Sequence, residues 1–209
     1  MENSEAPCQN FRYLKPLIYL FTALFLFLNL AEDIVEKERL SIDLPIQLFL
    51  HSYETPMLDS VMLVLTQAGS AYALVPLNIL IFFLLIHWKR NSDAVFFSLS
   101  VTGAALLNYA AKLSFARARP DLWASISPEV TYSFPSGHAM SSLAAAGALI
   151  VLTWQSKWRL PVAVVTLPVV IGVGLSRIYL GVHYPSDILA GWAASTAWIA
   201  GLVMARRQS

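Results

Sequence analysis

Six apolar runs recur between Leu14 and Ala205, each close to the ~20 residues a helix needs to cross a bilayer. They cover about 14–31, 71–88, 94–114, 138–154, 160–180 and 187–205. A soluble core has no use for so many. The chain is 57% hydrophobic and only 13% charged, where ordinary soluble domains carry roughly a quarter charged residues. The reading is an all-α, six-span transmembrane helix bundle, with residues 1–209 forming one integral-membrane domain. A cleaved leader is the competing reading of the first run, but no small-x-small cleavage site follows it.

The connections carry less pattern. Residues 1–10 are polar and expected to be disordered, and Glu32 to Arg39 is densely charged and must be solvated. Asp43 to Tyr53 and Met57 to Leu65 place apolar residues at helical spacing among polar ones, which predicts two short amphipathic helices at the membrane interface in the first outer loop. Thr66-Gln67-Ala68-Gly69-Ser70 breaks that pattern, and Lys89 to Asp93 reads as a short turn. There is no internal repeat or low-complexity tract. A net charge of +1 without a basic face gives no reason to expect nucleic acid as a partner. The single cysteine, Cys8, excludes an intrachain disulfide and supplies no metal cluster.

Six spans put both termini on one side. Arg12, Lys15, Lys89, Arg90, Lys157, Arg159, Arg206 and Arg207 then fall on that side, which the positive-inside rule makes cytoplasmic. Trp88, Trp154 and Trp158 fall at the same ends, as an aromatic belt does. Lys37 and Arg39 belong to the outer acidic loop. Lys112, Arg117, Arg119 and Arg177 are the cations left over, at the outer ends of spans three and five. A cation at the centre of a span costs about 2.5–3.5 kcal/mol on insertion scales and less toward its ends. Snorkelling to the interface is the plainer account of Lys112 or Arg177 taken singly.

Their neighbours favour a polar site. Tyr132 to His138 reads Tyr-Ser-Phe-Pro-Ser-Gly-His directly before the fourth run. Helix N-termini expose unpaired N–H groups that bind anions; Pro135 suits the helix entrance, Gly137 lets a ligand approach the backbone, and His138 titrates near neutral pH. An ordinary capped helix with a surface histidine is the alternative. In His183-Tyr184-Pro185-Ser186-Asp187, a spacing of four puts His183 and Asp187 on one helix face, with Pro185 suited to the first turn. A carboxylate holding one imidazole nitrogen leaves the other free to attack; a structural His–Asp cap is the alternative here. His51 and His87 lack such company and read as interfacial. On the six-span plan, Lys112, Arg119, Ser136, His138, Arg177, His183 and Asp187 reach the outer surface at four neighbouring span ends. Cations, small donors, two histidines and a carboxylate at one depth suit phosphate chemistry.

Lys112-(x6)-Arg119-Pro120, Pro135-Ser136-Gly137-His138 and Ser176-Arg177-(x5)-His183-(x3)-Asp187 resemble the three-part signature of the type-2 phosphatidic acid phosphatase superfamily, in its membrane lipid phosphatase branch. Arg117 also fits a common form of the first motif, and the segment from Glu32 to Ala68 has no motif to match. The resemblance implies a phosphatase with no metal and no other cofactor, working through a phosphohistidine. His183 would be the nucleophile and Asp187 its orienting partner. His138 would be the general acid and then the base. Lys112, Arg119, Arg177, Ser136 and the Gly137 N–H would bind the phosphoryl oxygens. The expected substrate is a lipid phosphate or a polyprenyl diphosphate such as undecaprenyl diphosphate, phosphatidic acid or phosphatidylglycerophosphate. It would be hydrolysed at the extracytoplasmic face of the cytoplasmic membrane. A lipid phosphotransferase with the same site, or a non-catalytic lipid-binding protein, are the alternatives.

Overall fold

The computed structural model describes residues 6–36 and 41–206. Among the described residues eight helices follow in order: α1 (Ala6–Val35), α2 (Asp43–His51), α3 (Pro56–Ala68), α4 (Ala71–His87), α5 (Asn91–Phe115), α6 (Gly137–Thr153), α7 (Arg159–Tyr179) and α8 (Pro185–Arg206). No strand occurs among the described residues. Lys37, Arg39 and Arg207, assigned from the sequence to opposite sides of the membrane, lie outside the described residues, as do residues 1–5.

Helix starts follow local chemistry. The Thr55 hydroxyl accepts from the Leu58 N–H ahead of Pro56, and the Ser70 hydroxyl accepts from the Ala73 N–H. Each satisfies one of the first-turn donors that a helix leaves unpaired. Two boundaries move from expectation. Helix α1 already includes residues 6–10 and runs past Ala31 through Glu32 and Asp33 to Val35, because charged residues at a helix end need only water, not a break. Helix α3 continues through Thr66, Gln67 and Ala68, so the break falls at Gly69 and Ser70.

Length and composition make α1 (from Leu14), α5, α7 and α8 long and apolar enough to cross a bilayer. The count becomes five when α3 and α4 are taken as one pair bent by 43°. Residues 57–65, whose pattern predicts a separate interfacial helix, are thus packed as the first half of that pair. Helix α3 lies along α7, with the Tyr179 hydroxyl donating to Asp59 at 2.6 Å and Leu65 against Gly172. The remaining apolar helix, α6, has 17 residues, about 25 Å at 1.5 Å per residue.

Helix α8 packs against α1, α5 and α6, and α6 also against α5 and α7. Small residues of α6 line its seam with α8: Ala139 packs against Ile188, Ala144 beside Ala194 and Trp198, and Ala148 against Ile199, which lets the two helices approach closely. At Gly191 a Cβ would sit 2.9 Å from the Ser136 carbonyl oxygen, so α8 rests directly on the start of α6. One end of the bundle gathers Arg90, Asp93, Arg206, Trp154 and Arg159: Arg90 donates to Asp93 at 2.5 Å, Arg206 also donates to Asp93, and Arg159 stacks on Trp154. The opposite end is closed by α2 and by the connection from Ala116 to Ser136 between α5 and α6.

Candidate active site

The site is assembled at that closed end. His183 lies just before α8, and Asp187 lies in the first turn of α8, which opens at Pro185 as its sequence suggests. Both side chains are buried, and His183 Nδ1 stands 3.2 Å from Asp187 Oδ2. On the other face of the ring, Arg119 Nη1 approaches Nε2 at 3.2 Å. A guanidinium only donates, so Nε2 accepts and the proton sits on Nδ1, aimed at Asp187. Burial holds the His183 imidazole well below its ordinary pKa, at about 3, although Asp187 pulls the other way. The ring is neutral, with its lone pair on the nitrogen that faces the cations.

Asp187 is saturated with donors. Besides His183 it accepts from Ser133 Oγ at 2.5 Å, the Tyr184 N–H at 2.9 Å and Arg117 Nη1 at 2.5 Å. Arg117 bridges onward, donating to Asp43 Oδ2 at 2.9 Å and to Ser186 Oγ at 2.8 Å, and its guanidinium lies 3.9 Å over the Tyr184 ring. Burial disfavours the Arg117 charge, but Asp187 and Asp43 outweigh it and raise its pKa. Asp43, at the start of α2, in turn accepts from the Ser186 N–H at 2.9 Å and from its hydroxyl at 2.7 Å.

The cationic wall faces His183 from three elements. Arg119 is fixed in the α5–α6 connection, donating to the Thr131 carbonyl at 2.6 Å, the Thr131 hydroxyl at 3.1 Å and the Val182 carbonyl at 2.7 Å. Burial lowers its pKa, which Glu129 and Asp187 partly offset. Lys112, in the last turn of α5, donates to the Tyr132 carbonyl. Arg177, only 1% exposed, donates to the Thr66 hydroxyl at 2.6 Å and to Glu129 Oε1 at 2.6 Å.

Helix α6 opens against this wall. Ser136 is its N-cap, the hydroxyl accepting from the Ala139 N–H at 3.4 Å, and its own N–H donates to the Asp187 carbonyl at 3.0 Å. Pro135 therefore precedes the cap instead of occupying the first turn, because the serine beside it is the residue whose side chain reaches the third amide. Gly137 is the first helical residue, and a Cβ there would stand 3.1 Å from Asn108 Oδ1. His138 follows, within electrostatic reach of Arg177, Arg119 and Lys112.

All eight residues expected at the site thus converge at one end of the bundle. Five further participants carry no motif: Asp43, Thr66, Glu129, Ser133 and, beneath them, Gln47, which is fully buried and donates to the His183 carbonyl at 3.4 Å. Ser133 lies inside the heptapeptide that attracts attention, but a serine beside an aromatic residue has no spacing to mark it. Asp43 and Thr66 come from the segment without a family pattern, where only the fold brings them near.

The PAP2 superfamily profile matches residues 93–209. The chain belongs to the PAP2 superfamily. It is 31% identical to phosphatidylglycerophosphatase B of Bacillus subtilis, over 84% of this chain and 89% of that one. It is 28% identical to an undecaprenyl-diphosphatase of Sulfolobus acidocaldarius, over 88% of each chain. The crystal structure of a transmembrane PAP2-type phosphatidylglycerolphosphate phosphatase from Bacillus subtilis superposes with a TM-score of 0.77 at 27% identity, covering 93% of this chain and 96% of that one. Membership in the PAP2 superfamily and the apolar helices together make this an integral membrane protein. The segment before residue 93, outside the family profile, supplies Asp43 and Thr66 to the site.

Proposed function

We propose that this protein is a lipid phosphatase or diphosphatase. It hydrolyses a lipid phosphate or polyprenyl diphosphate through a phosphohistidine at the extracytoplasmic face of the cytoplasmic membrane. The observation that carries the reading is the His183 ring: neutral, its Nδ1 proton directed to Asp187 and its Nε2 lone pair directed to Arg119. In the resting site Arg119 covers the nucleophile. With substrate present its guanidinium turns to a phosphoryl oxygen, and Nε2 is freed to attack phosphorus in line. Arg117 and Ser133 keep Asp187 in place while the imidazole gains positive charge.

His138 gives its proton to the leaving oxygen and then takes one from the water that cleaves the phosphohistidine, assistance typically worth about 10²–10⁴-fold. Lys112, Arg119, Arg177 and the N–H groups at the start of α6, with the Ser136 hydroxyl, hold the phosphoryl oxygens as charge redistributes, and each such donor is typically worth about 10²–10³ in rate. The three cations supply the charge neutralisation that Mg²⁺ gives in other phosphoryl-transfer sites, and no cofactor enters the scheme. On a six-span plan, with α6 the shortest span and α3–α4 bent, the gathering of Arg90, Arg159 and Arg206 at the far end supports an outer position for the site. The exposed Leu44, Leu48 and Phe49 of α2 then lie at the depth of lipid headgroups. The names of the relatives at 31% and 28% identity support a phosphorylated membrane lipid as substrate.

The experiment is phosphate release from a panel of lipid phosphates and diphosphates by purified protein in detergent, with and without a chelator. Wild type is expected to be active in both conditions and to be inhibited by vanadate. His183→Ala should trap no phosphoenzyme. His138→Ala should slow turnover by about 10²–10⁴-fold and still form phosphoenzyme from a substrate with an acidic leaving group. Phosphoenzyme in His183→Ala, or activity that only added Mg²⁺ restores, would refute the scheme.

A further inference from the structure

The resting site already contains an anion. Glu129, in the α5–α6 connection, accepts from Arg177 Nη2 at 2.6 Å, and its carboxylate lies within electrostatic reach of Lys112, Arg119 and His138. Lys112, Arg119 and Arg177 are the cations assigned above to the phosphate, and His138 is the proton donor beside them. Arg177 is almost wholly buried, whereas the Glu129 side chain remains 29% exposed, so the carboxylate enters the cationic wall from its open side. Arg177 also has a buried Nε with no partner, a donor left over after Thr66 and Glu129 are served.

The connection that carries Glu129 is held at its two ends and free between them. Arg119 donates to Thr131 and Tyr132, Lys112 donates to Tyr132, and the Ser133 N–H donates to the Arg117 carbonyl. On the far side Trp123 stacks on His51 with ring centroids 3.9 Å apart, and it covers Gly181, whose φ of +70° and missing Cβ admit the indole. Glu129 sits between these anchors, next to the fully exposed Val130. It can therefore leave Arg177 by a side-chain rotation, without the connection coming undone.

We propose that Glu129 is a resident competitor for the phosphoryl site: the substrate's phosphate displaces it from Arg177, and its return helps expel inorganic phosphate after hydrolysis. The inference rests on the functional reading above. A buried guanidinium without a counter-charge is costly, so the empty site needs an anion of its own. A carboxylate and a phosphate cannot share the same cations closely, because like charges at that separation repel. Phosphate affinity is then the difference between two occupants, not the full strength of the cationic wall. A lipid phosphate wins the exchange with help from its membrane-buried chain, and free inorganic phosphate has no such help. The carboxylate thus weakens product and substrate alike, and only the substrate, held by its chain, still binds well while free phosphate leaves.

The test uses the full-length protein in detergent, with orthophosphate and orthovanadate as probes and a lipid phosphate as substrate. Glu129→Gln keeps the shape and removes the charge. Its inhibition constants for both probes are expected to fall at least tenfold and KM to fall with them, while Glu129→Asp stays near wild type. A carboxylate that merely held Arg177 in place would give the opposite sign: weaker inhibition and a raised KM in Glu129→Gln. That result, or unchanged constants, overturns the proposal. Glu129→Ala is read in the same way and covers a Gln variant that fails to fold. A wild type inactive on every lipid phosphate would instead overturn the functional reading itself, so the two failures are distinct.

Discussion

At the scale of single residues, His183 is defined by what lies on each side of its ring. Asp187 receives its proton on one side, and Arg119 covers its lone pair on the other. Burial lowers its pKa to about 3, against about 6.5 in an unfolded chain. Between those values the unfolded chain binds a proton that the folded one refuses. Stability contributed by His183 is therefore intact above about pH 6.5 and is lost as pH falls toward 3, by at most ~1.4 kcal/mol per pH unit. Thermal unfolding in detergent at pH 7.5 and 4.5 should show wild type losing more than His183→Gln; equal losses would mean the imidazole is not held neutral. Exchanging Asp187 for Asn removes the acceptor that sets the tautomer, and kcat is expected to drop by about 10⁴-fold with KM little changed, as when the carboxylate behind a catalytic histidine is lost. The spacing of four marks His183 and Asp187 as a pair in the sequence, but His183 precedes α8, so their contact is made at the turn into the helix and not on a shared helix face. Ser133 and Glu129 are not readable, since they belong to an irregular connection where no period links a residue to its partner.

Among the elements, the short α2 does more than its apolar pattern suggests. Its first residue, Asp43, is only 5% exposed and ties Arg117 to the opening turn of α8 through the Ser186 N–H and hydroxyl. Asp43→Asn keeps the shape and removes one charge from a buried pair. We expect a loss of about 2 kcal/mol, less than the ~3–5 kcal/mol of a fully orphaned buried charge, because Asp187 still faces Arg117. A lowered unfolding midpoint together with reduced kcat would bear this out, and an unchanged midpoint would count against it. The long apolar helices are legible in the sequence because the bilayer sets their length. The pairing of α3 with α4 is not, because an amphipathic stripe looks the same whether it faces lipid headgroups or a neighbour such as α7. For the same reason Asp43, read only as the start of an interfacial helix, gives no sign of its buried partners.

For the whole molecule, the two polar ends define a direction, and the proposed topology sets the end rich in Lys and Arg in the cytoplasm. Arg90, Arg159 and Arg206 gather at one end, and the site occupies the other. Single cysteines at Glu36 and Ser125 in a Cys8→Ser background should react with an impermeant thiol reagent applied to intact cells, and cysteines at Asn91 and Ser156 should not. Labelling at Asn91 from outside would reverse the orientation. The bond from Asp43 through Arg117 to Ser186 and Asp187 joins three segments that leave the ribosome far apart in time. Asp43 and Arg117 are made long before α8, and His183 emerges with the residues that anchor it. During synthesis the network around Asp187 therefore stays open until α8 follows and closes it.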